Sequence, residues 1–134
     1  MKKNILIIED DAFLRDLINK KLSSAEFETS EAIDGESGIK KIKAESPDLI
    51  LLDLLLPNID GFEVLENIKK DSTISNIPVI ILSNLGQKED IEKGMALGAV
   101  DYLIKAQFTP DEIIIKVREA FEKATTPPIP PVRP

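Results

Sequence analysis

Apolar positions along this chain come in short unbroken runs separated by longer stretches with a helical period. Ile5-Leu6-Ile7-Ile8, Leu49-Ile50-Leu51-Leu52 and Pro78-Val79-Ile80-Ile81-Leu82-Ser83 hold almost no polar alternation. Such runs read as strands buried on both faces, the habit of a parallel sheet. Phe27 to Ala32 is more polar and suits an edge strand, and Asp101-Tyr102-Leu103-Ile104-Lys105 is a last short one. Between the runs the period changes. Phe13, Leu14, Leu17, Ile18 and Leu22 recur at helical spacing behind Asp11, whose carboxylate is placed to cap that helix. A second helix is expected over 35–45 with Ile39 and Ile42 inward and Pro47 beyond its end, and a third over 61–71 on Val64, Leu65 and Ile68. A fourth over 88–97 stops at Gly98, a residue suited to a left-handed C-terminal cap. Thr109-Pro110-Asp111-Glu112 spells an N-cap, a proline in the first turn and a capping-box glutamate, opening a helix to about residue 124.

Five strands alternating with five helices imply right-handed crossovers and an α/β fold, a doubly wound parallel sheet with helices on both faces. A length of 134 residues suits one domain, placed at 1–124. Residues 125–134 hold most of the prolines and are expected to form a disordered, extended tail. The central run Leu49 to Leu52 ends on Asp53. Open α/β sheets bind ligands beyond the carboxyl ends of their strands, so Asp53 should face a ligand crevice.

Composition then narrows the chemistry. The chain has no cysteine and no histidine, which excludes disulfides, thiol chemistry, the usual zinc sites and Ser/His/Asp or Cys/His nucleophiles. Carboxylates, hydroxyls and lysines must do any work. A net charge of -7 argues against direct binding to nucleic acid or to an anionic membrane. No apolar run nears the roughly 18 residues needed to cross a bilayer, and the first residues do not form a signal-peptide core, so a cytoplasmic setting is expected.

If the sheet order is 2-1-3-4-5, the tips of strands one, three, four and five converge, and Glu9, Asp10, Asp53, Ser83 and Lys105 would share one site. Three crowded carboxylates raise one another's pKa unless a cation neutralises them, and an all-oxygen cluster suits Mg²⁺. With a lysine and a hydroxyl beside it, such a pocket would stabilise a tetrahedral oxyanion in transit to an aspartate.

Glu9-Asp10 after the first strand, Asp53 through Pro57 to Asp60-Gly61, Ser83 after the fourth strand and Tyr102-Leu103-Ile104-Lys105 together resemble the receiver domain of two-component response regulators. The resemblance spans about residues 3–124. It implies the flavodoxin-like order 2-1-3-4-5 and a phosphorylation-controlled switch, not an enzyme with a separate substrate; the residues past 124 are too few and too proline-rich for a DNA-binding module, so the switch is expected to stand alone. By resemblance Asp53 is the phosphoacceptor, supplied by a histidine kinase, a phosphotransfer protein or a small phosphodonor. Asp10, Asp53 and the backbone carbonyl of Leu55 would ligate Mg²⁺, with Glu9 acting through water. Lys105 would bridge to the phosphoryl group, and Ser83 would bond one of its oxygens. Tyr102 would follow Ser83 inward and change the surface of the fourth helix, fifth strand and fifth helix. That surface would control binding to a downstream protein target, and a phosphorylation-dependent homodimer is a further expected partner.

Three departures from the family pattern carry expectations. Ala106 follows Lys105 where the family commonly has proline, which puts the geometry of that loop in question. Asn84 stands where a smaller residue is usual and would narrow access to the site. Leu55 and Leu85 are apolar at positions that flank the attacking-water path in the family, which implies slow loss of the phosphoryl group. Ile115 lies off the main apolar face of the last helix, where it would face a partner. Two alternatives from other classes stay open: a receiver-like interaction module that is never phosphorylated, and a small phosphohydrolase with Asp53 as nucleophile.

Overall fold

A computed structural model describes residues 2–125. Its elements are β1 (Asn4–Ile8), α1 (Ala12–Ser24), β2 (Glu28–Ala32), α2 (Gly35–Glu45), β3 (Leu49–Leu52), α3 (Gly61–Lys70), β4 (Val79–Ser83), α4 (Lys88–Ala96), β5 (Asp101–Ile104) and α5 (Pro110–Thr125). All strands run parallel in the order β2-β1-β3-β4-β5. This is the expected doubly wound sheet, with its switch between β1 and β3.

The apolar runs are unbroken because both of their faces are covered. Ile5, Ile7, Leu49, Leu51, Ile80 and Leu82 meet Ile18 and Leu22 of α1 and Ile113, Ile114 and Val117 of α5. Leu6, Ile8, Ile50, Leu52, Val79 and Ile81 point the other way, onto Ile42 of α2 and Val64, Leu65 and Ile68 of α3. Alternation across the pleat thus sends neighbouring apolar residues into two separate cores. The polar edge strand β2 is only half-buried along most of its length.

The caps read from sequence are present. Asp11 accepts from the amides of Phe13 and Leu14 at 3.0 and 3.2 Å. The Thr109 amide donates to Glu112 Oε1 at 2.9 Å, and the Glu112 amide donates to Thr109 Oγ1 at 3.2 Å. Gly98, just past α4, sits at φ +106°, a conformation that penalises any β-carbon.

Three details differ from expectation. Phe13 shares the helical spacing of Leu14 and Ile18 but is 79% exposed. Its neighbour Leu14, in the same first turn of α1, packs onto the core in its place. Lys105 is not the last residue of β5 but opens a single 3₁₀ turn, Lys105–Gln107, in which Ala106 is the central residue. The turn closes with the Phe108 amide on the Lys105 carbonyl at 3.4 Å. α5 runs through Thr125, one residue past the expected boundary, and the expectation of a disordered tail falls on 126–134, outside the described residues.

The reciprocal cap of α5 gives a direct test. Thr109→Ala should lower stability by about 1 kcal/mol, read as a shift of the urea midpoint with an unchanged slope.

Candidate functional site

The parallel pairing of β1 with β3 brings their ends level. Ile8 faces Leu52, and the Asp53 amide donates to the Ile8 carbonyl at 3.0 Å, one rung beyond the last pair. Glu9 and Asp53 therefore stand side by side where the sheet stops. Both are almost fully buried, at 2% and 3% exposure, while Asp10 is open to solvent. Carboxylate oxygens of Glu9, Asp10 and Asp53 lie within 4.8 Å of one another.

Lys105 closes this acidic crevice from the far side of β4. Its Nζ lies 2.7 Å from Glu9 Oε1 and 2.8 Å from Asp53 Oδ2. The remaining carboxylate oxygens meet backbone donors: the Leu55 amide reaches Asp53 Oδ1 at 3.1 Å, and the Asp11 amide reaches Glu9 Oε2 at 3.1 Å. Burial pushes the Glu9 carboxyl up to about 7, and the charge of Asp53 adds to the rise. Lys105 and the Asp11 amide pull the other way and do not overcome it. For Lys105, burial alone would lower the pKa. Its bonds to Asp53 and Glu9 outweigh that and hold the amine above its ordinary value.

Ser83 ends β4 and is fully buried. Its hydroxyl accepts from the Leu85 amide over a long 3.4 Å. The Tyr102 hydroxyl donates to the carbonyl of the same Leu85. Burial, then the charges of Asp90 and Asp53, push the Tyr102 phenol up to about 12, so it is a donor at neutral pH. The structure thus gathers Glu9, Asp10, Asp53 and Lys105 into one cluster and links Ser83 to Tyr102 through a single residue of the β4–α4 loop. Asn84 is exposed, Leu55 is exposed at the mouth, and Leu85 is half-buried. Ile115 is exposed on α5, as its spacing suggests.

Two contributions went unassigned from sequence, where Gly61 figured only as part of a motif and Arg15 was not singled out. Gly61 opens α3 directly against the strand tip: a β-carbon there would come within 2.4 Å of the Asp53 carbonyl oxygen and 2.5 Å of Leu54 Cα. Both obstacles are backbone and cannot swing aside. Arg15 donates from Nη1 to the Glu9 carbonyl at 2.9 Å. No motif announces a contact made to a main-chain oxygen.

Three carboxylates with oxygens within 4.8 Å of one another form a hard oxygen donor set of the kind that suits a small divalent cation. No described helix is long and apolar enough to cross a membrane.

Comparison with known proteins agrees with this geometry. The response regulator receiver domain family matches residues 5–118. The DNA-binding dual master transcriptional regulator RpaA of Synechocystis is 41% identical over 114 residues, 85% of this chain and 47% of that protein. The phosphate regulon transcriptional regulatory protein PhoB of Escherichia coli is 33% identical over 123 residues, 92% of this chain and 53% of that one. The chain therefore spans about half the length of the curated relatives it matches. Among solved structures, the receiver domain of a Francisella response regulator superposes with a TM-score of 0.85 at 31% identity, covering 92% of this chain and 100% of that one.

Removing the amine from the crevice should expose the cost of burying these acids together. Glu9 has a folded pKa of about 7 against an ordinary 4.5, so the folded chain holds its proton more tightly than the unfolded chain does. Its contribution favours folding fully below pH 4.5 and is lost as pH rises through about 7. Lys105→Met removes the opposing amine and should enlarge that loss. In chelator-treated protein, the variant should be destabilised by about 3 kcal/mol at about pH 8 and by much less at about pH 5, measured by urea unfolding.

Proposed function

This chain belongs to the response regulator receiver domain family, and from that premise we propose that it is a phosphorylation-controlled switch with Asp53 as phosphoacceptor. The observation that carries the proposal is the buried Glu9–Lys105–Asp53 bridge beside the exposed Asp10 carboxylate. An oxygen of Asp53 attacks phosphorus in line. It forms an acyl phosphate as the donor's N–P or O–P bond breaks and its electron pair leaves with the donor. Asp10, Asp53 and the Leu55 carbonyl are the direct ligands proposed for Mg²⁺, with Glu9 holding a bridging water. When bound, the ion would neutralise the carboxylates and polarise the phosphoryl oxygens. Lys105 exchanges its bond to Asp53 for one to a phosphoryl oxygen, and Ser83 turns its hydroxyl toward another.

The change spreads through Leu85. Ser83 accepts from its amide and Tyr102 donates to its carbonyl, so a Ser83 that turns inward releases one side of a residue whose other side holds Tyr102. Such a link suits a two-position element biased by the new charge. The affected surface is that of α4, β5 and α5, which we assign to binding a downstream protein or a second copy of the chain. The donor is a histidine kinase, a phosphotransfer protein or a small phosphodonor. The proposed setting is the cytoplasm, without direct contact to nucleic acid or membrane.

Two outcomes check this. With Mg²⁺ and acetyl phosphate, intact mass should rise by one phosphoryl group in the wild type and not in Asp53→Asn. No gain in the wild type would instead favour an interaction module that is never phosphorylated. Leu85→Lys, which places a polar group beside the proposed path of the hydrolytic water, should shorten the phosphoryl lifetime by up to about tenfold, equivalent to about 1.4 kcal/mol at the barrier. An unchanged half-life would remove Leu85 from that path.

A further inference from the structure

Arg15 lies on α1 and its side chain is only 16% exposed. It forms an ion pair from Nε to Glu31 Oε2 at 3.6 Å and donates from Nη1 to the Glu9 carbonyl at 2.9 Å. Glu31 is itself held. Its Oε1 accepts from Asn19 Nδ2 at 2.6 Å, its carbonyl accepts from Lys41 Nζ, and Asn19 Oδ1 accepts from Thr29 Oγ1 at 2.7 Å. The guanidinium is therefore fixed to the edge strand at one end and to the tip of β1 at the other.

The bond to the Glu9 carbonyl matters because of what that carbonyl belongs to. A peptide unit is planar, so fixing its C=O direction also fixes the direction in which the next Cα leaves. Here the next residue is Asp10. The Glu9 amide is already bound to the Ala32 carbonyl at 3.0 Å, and its side chain to Lys105 and the Asp11 amide. Asp10 is different: its carboxylate is exposed, and its aim depends on the backbone that carries it. We infer that Arg15 is a positioning residue for the carboxylate cluster, setting through the Glu9–Asp10 peptide how tightly the cluster holds a divalent cation. This rests on the metal-dependent reading given under Proposed function.

The sign of the effect separates this role from simple electrostatics. Deleting a cation beside an acidic site should, by charge alone, tighten Mg²⁺ binding. Loss of a positioning bond should weaken it, and outer partners of metal ligands typically carry about 10–100-fold in affinity.

The test is a titration of the full chain with Mg²⁺ alone, without phosphodonor, followed by the amide resonances of Asp10, Asp11 and Leu55. Thermal unfolding in chelator is recorded beside it. Arg15→Gln should stay folded and bind Mg²⁺ about tenfold or more weakly. Arg15→Lys keeps the charge and one donor, should fold even if the glutamine variant does not, and should fall between the two. Unchanged or tighter binding by Arg15→Gln, or wild-type affinity in Arg15→Lys, overturns the role. A wild type with no saturable Mg²⁺ binding overturns the role and the metal-dependent proposal together, whereas normal wild-type binding with unaffected variants overturns the role of Arg15 alone.

Discussion

One amine bonded to two buried carboxylates is the contact on which the site depends. Glu9 and Asp53 are forced together by the pairing of β1 with β3, at a depth where neither charge is well solvated. Lys105 resolves the conflict from a position 52 residues beyond Asp53 in sequence. It must reach from the β5 side of the sheet past the end of β4 to the end of β3, about two strand spacings, or some 10 Å. Only a long stem can do so, and only if the residue between is small. β4 ends in Ser83, which meets that condition and adds a hydroxyl.

Precision at the strand tips comes from the cores beneath them. Leu49 to Leu52 and Val79 to Leu82 are buried on both faces, so a slip of one residue would exchange two filled cores at once. Gly61 closes α3 against the backbone of Asp53 and Leu54, and its amide donates to the Leu54 carbonyl at 2.9 Å. The carboxylate is thus presented by a rigid strand and confined by a helix start, as a precise site requires.

Much of this was legible in the chain because the signals were regular. Unbroken β-branched and leucine runs marked β1, β3 and β4, and cap residues such as Asp11, Thr109 and Gly98 marked helix ends. Acid, hydroxyl and lysine at four strand tips marked the site. What was not legible lacks a periodic signature. Phe13 fits the helical period but stays exposed while Leu14 in the same turn packs onto the core, so spacing alone could not tell exposure from burial. Lys105 left β5 for a 3₁₀ turn, a choice set by local main-chain bonding. The Ser83–Leu85–Tyr102 link and the bond from Arg15 to Glu9 both end on backbone atoms, which carry no residue-type signal.

The resting crevice is also unevenly satisfied, and the imbalance has a direction. Each oxygen of Glu9 and of Asp53 already has a donor: the Lys105 amine, the Leu55 amide or the Asp11 amide. The hydroxyl of Ser83 has only a long contact to an amide, in which it serves as acceptor. Its proton is therefore the least committed donor at the strand tips. An added phosphoryl group would bring more negative charge than the carboxylate it replaces, together with three acceptor oxygens. Lys105 is already shared between two carboxylates, so its amine can follow the new charge only by loosening from one of them. Exchanging the Asp53 bond for one to the phosphoryl group would leave the Glu9 bond in place to hold the amine in the crevice. Under the proposed phosphorylation both donors would turn to the group on Asp53: the amine already bonded there, and the hydroxyl from the loop that also holds Tyr102.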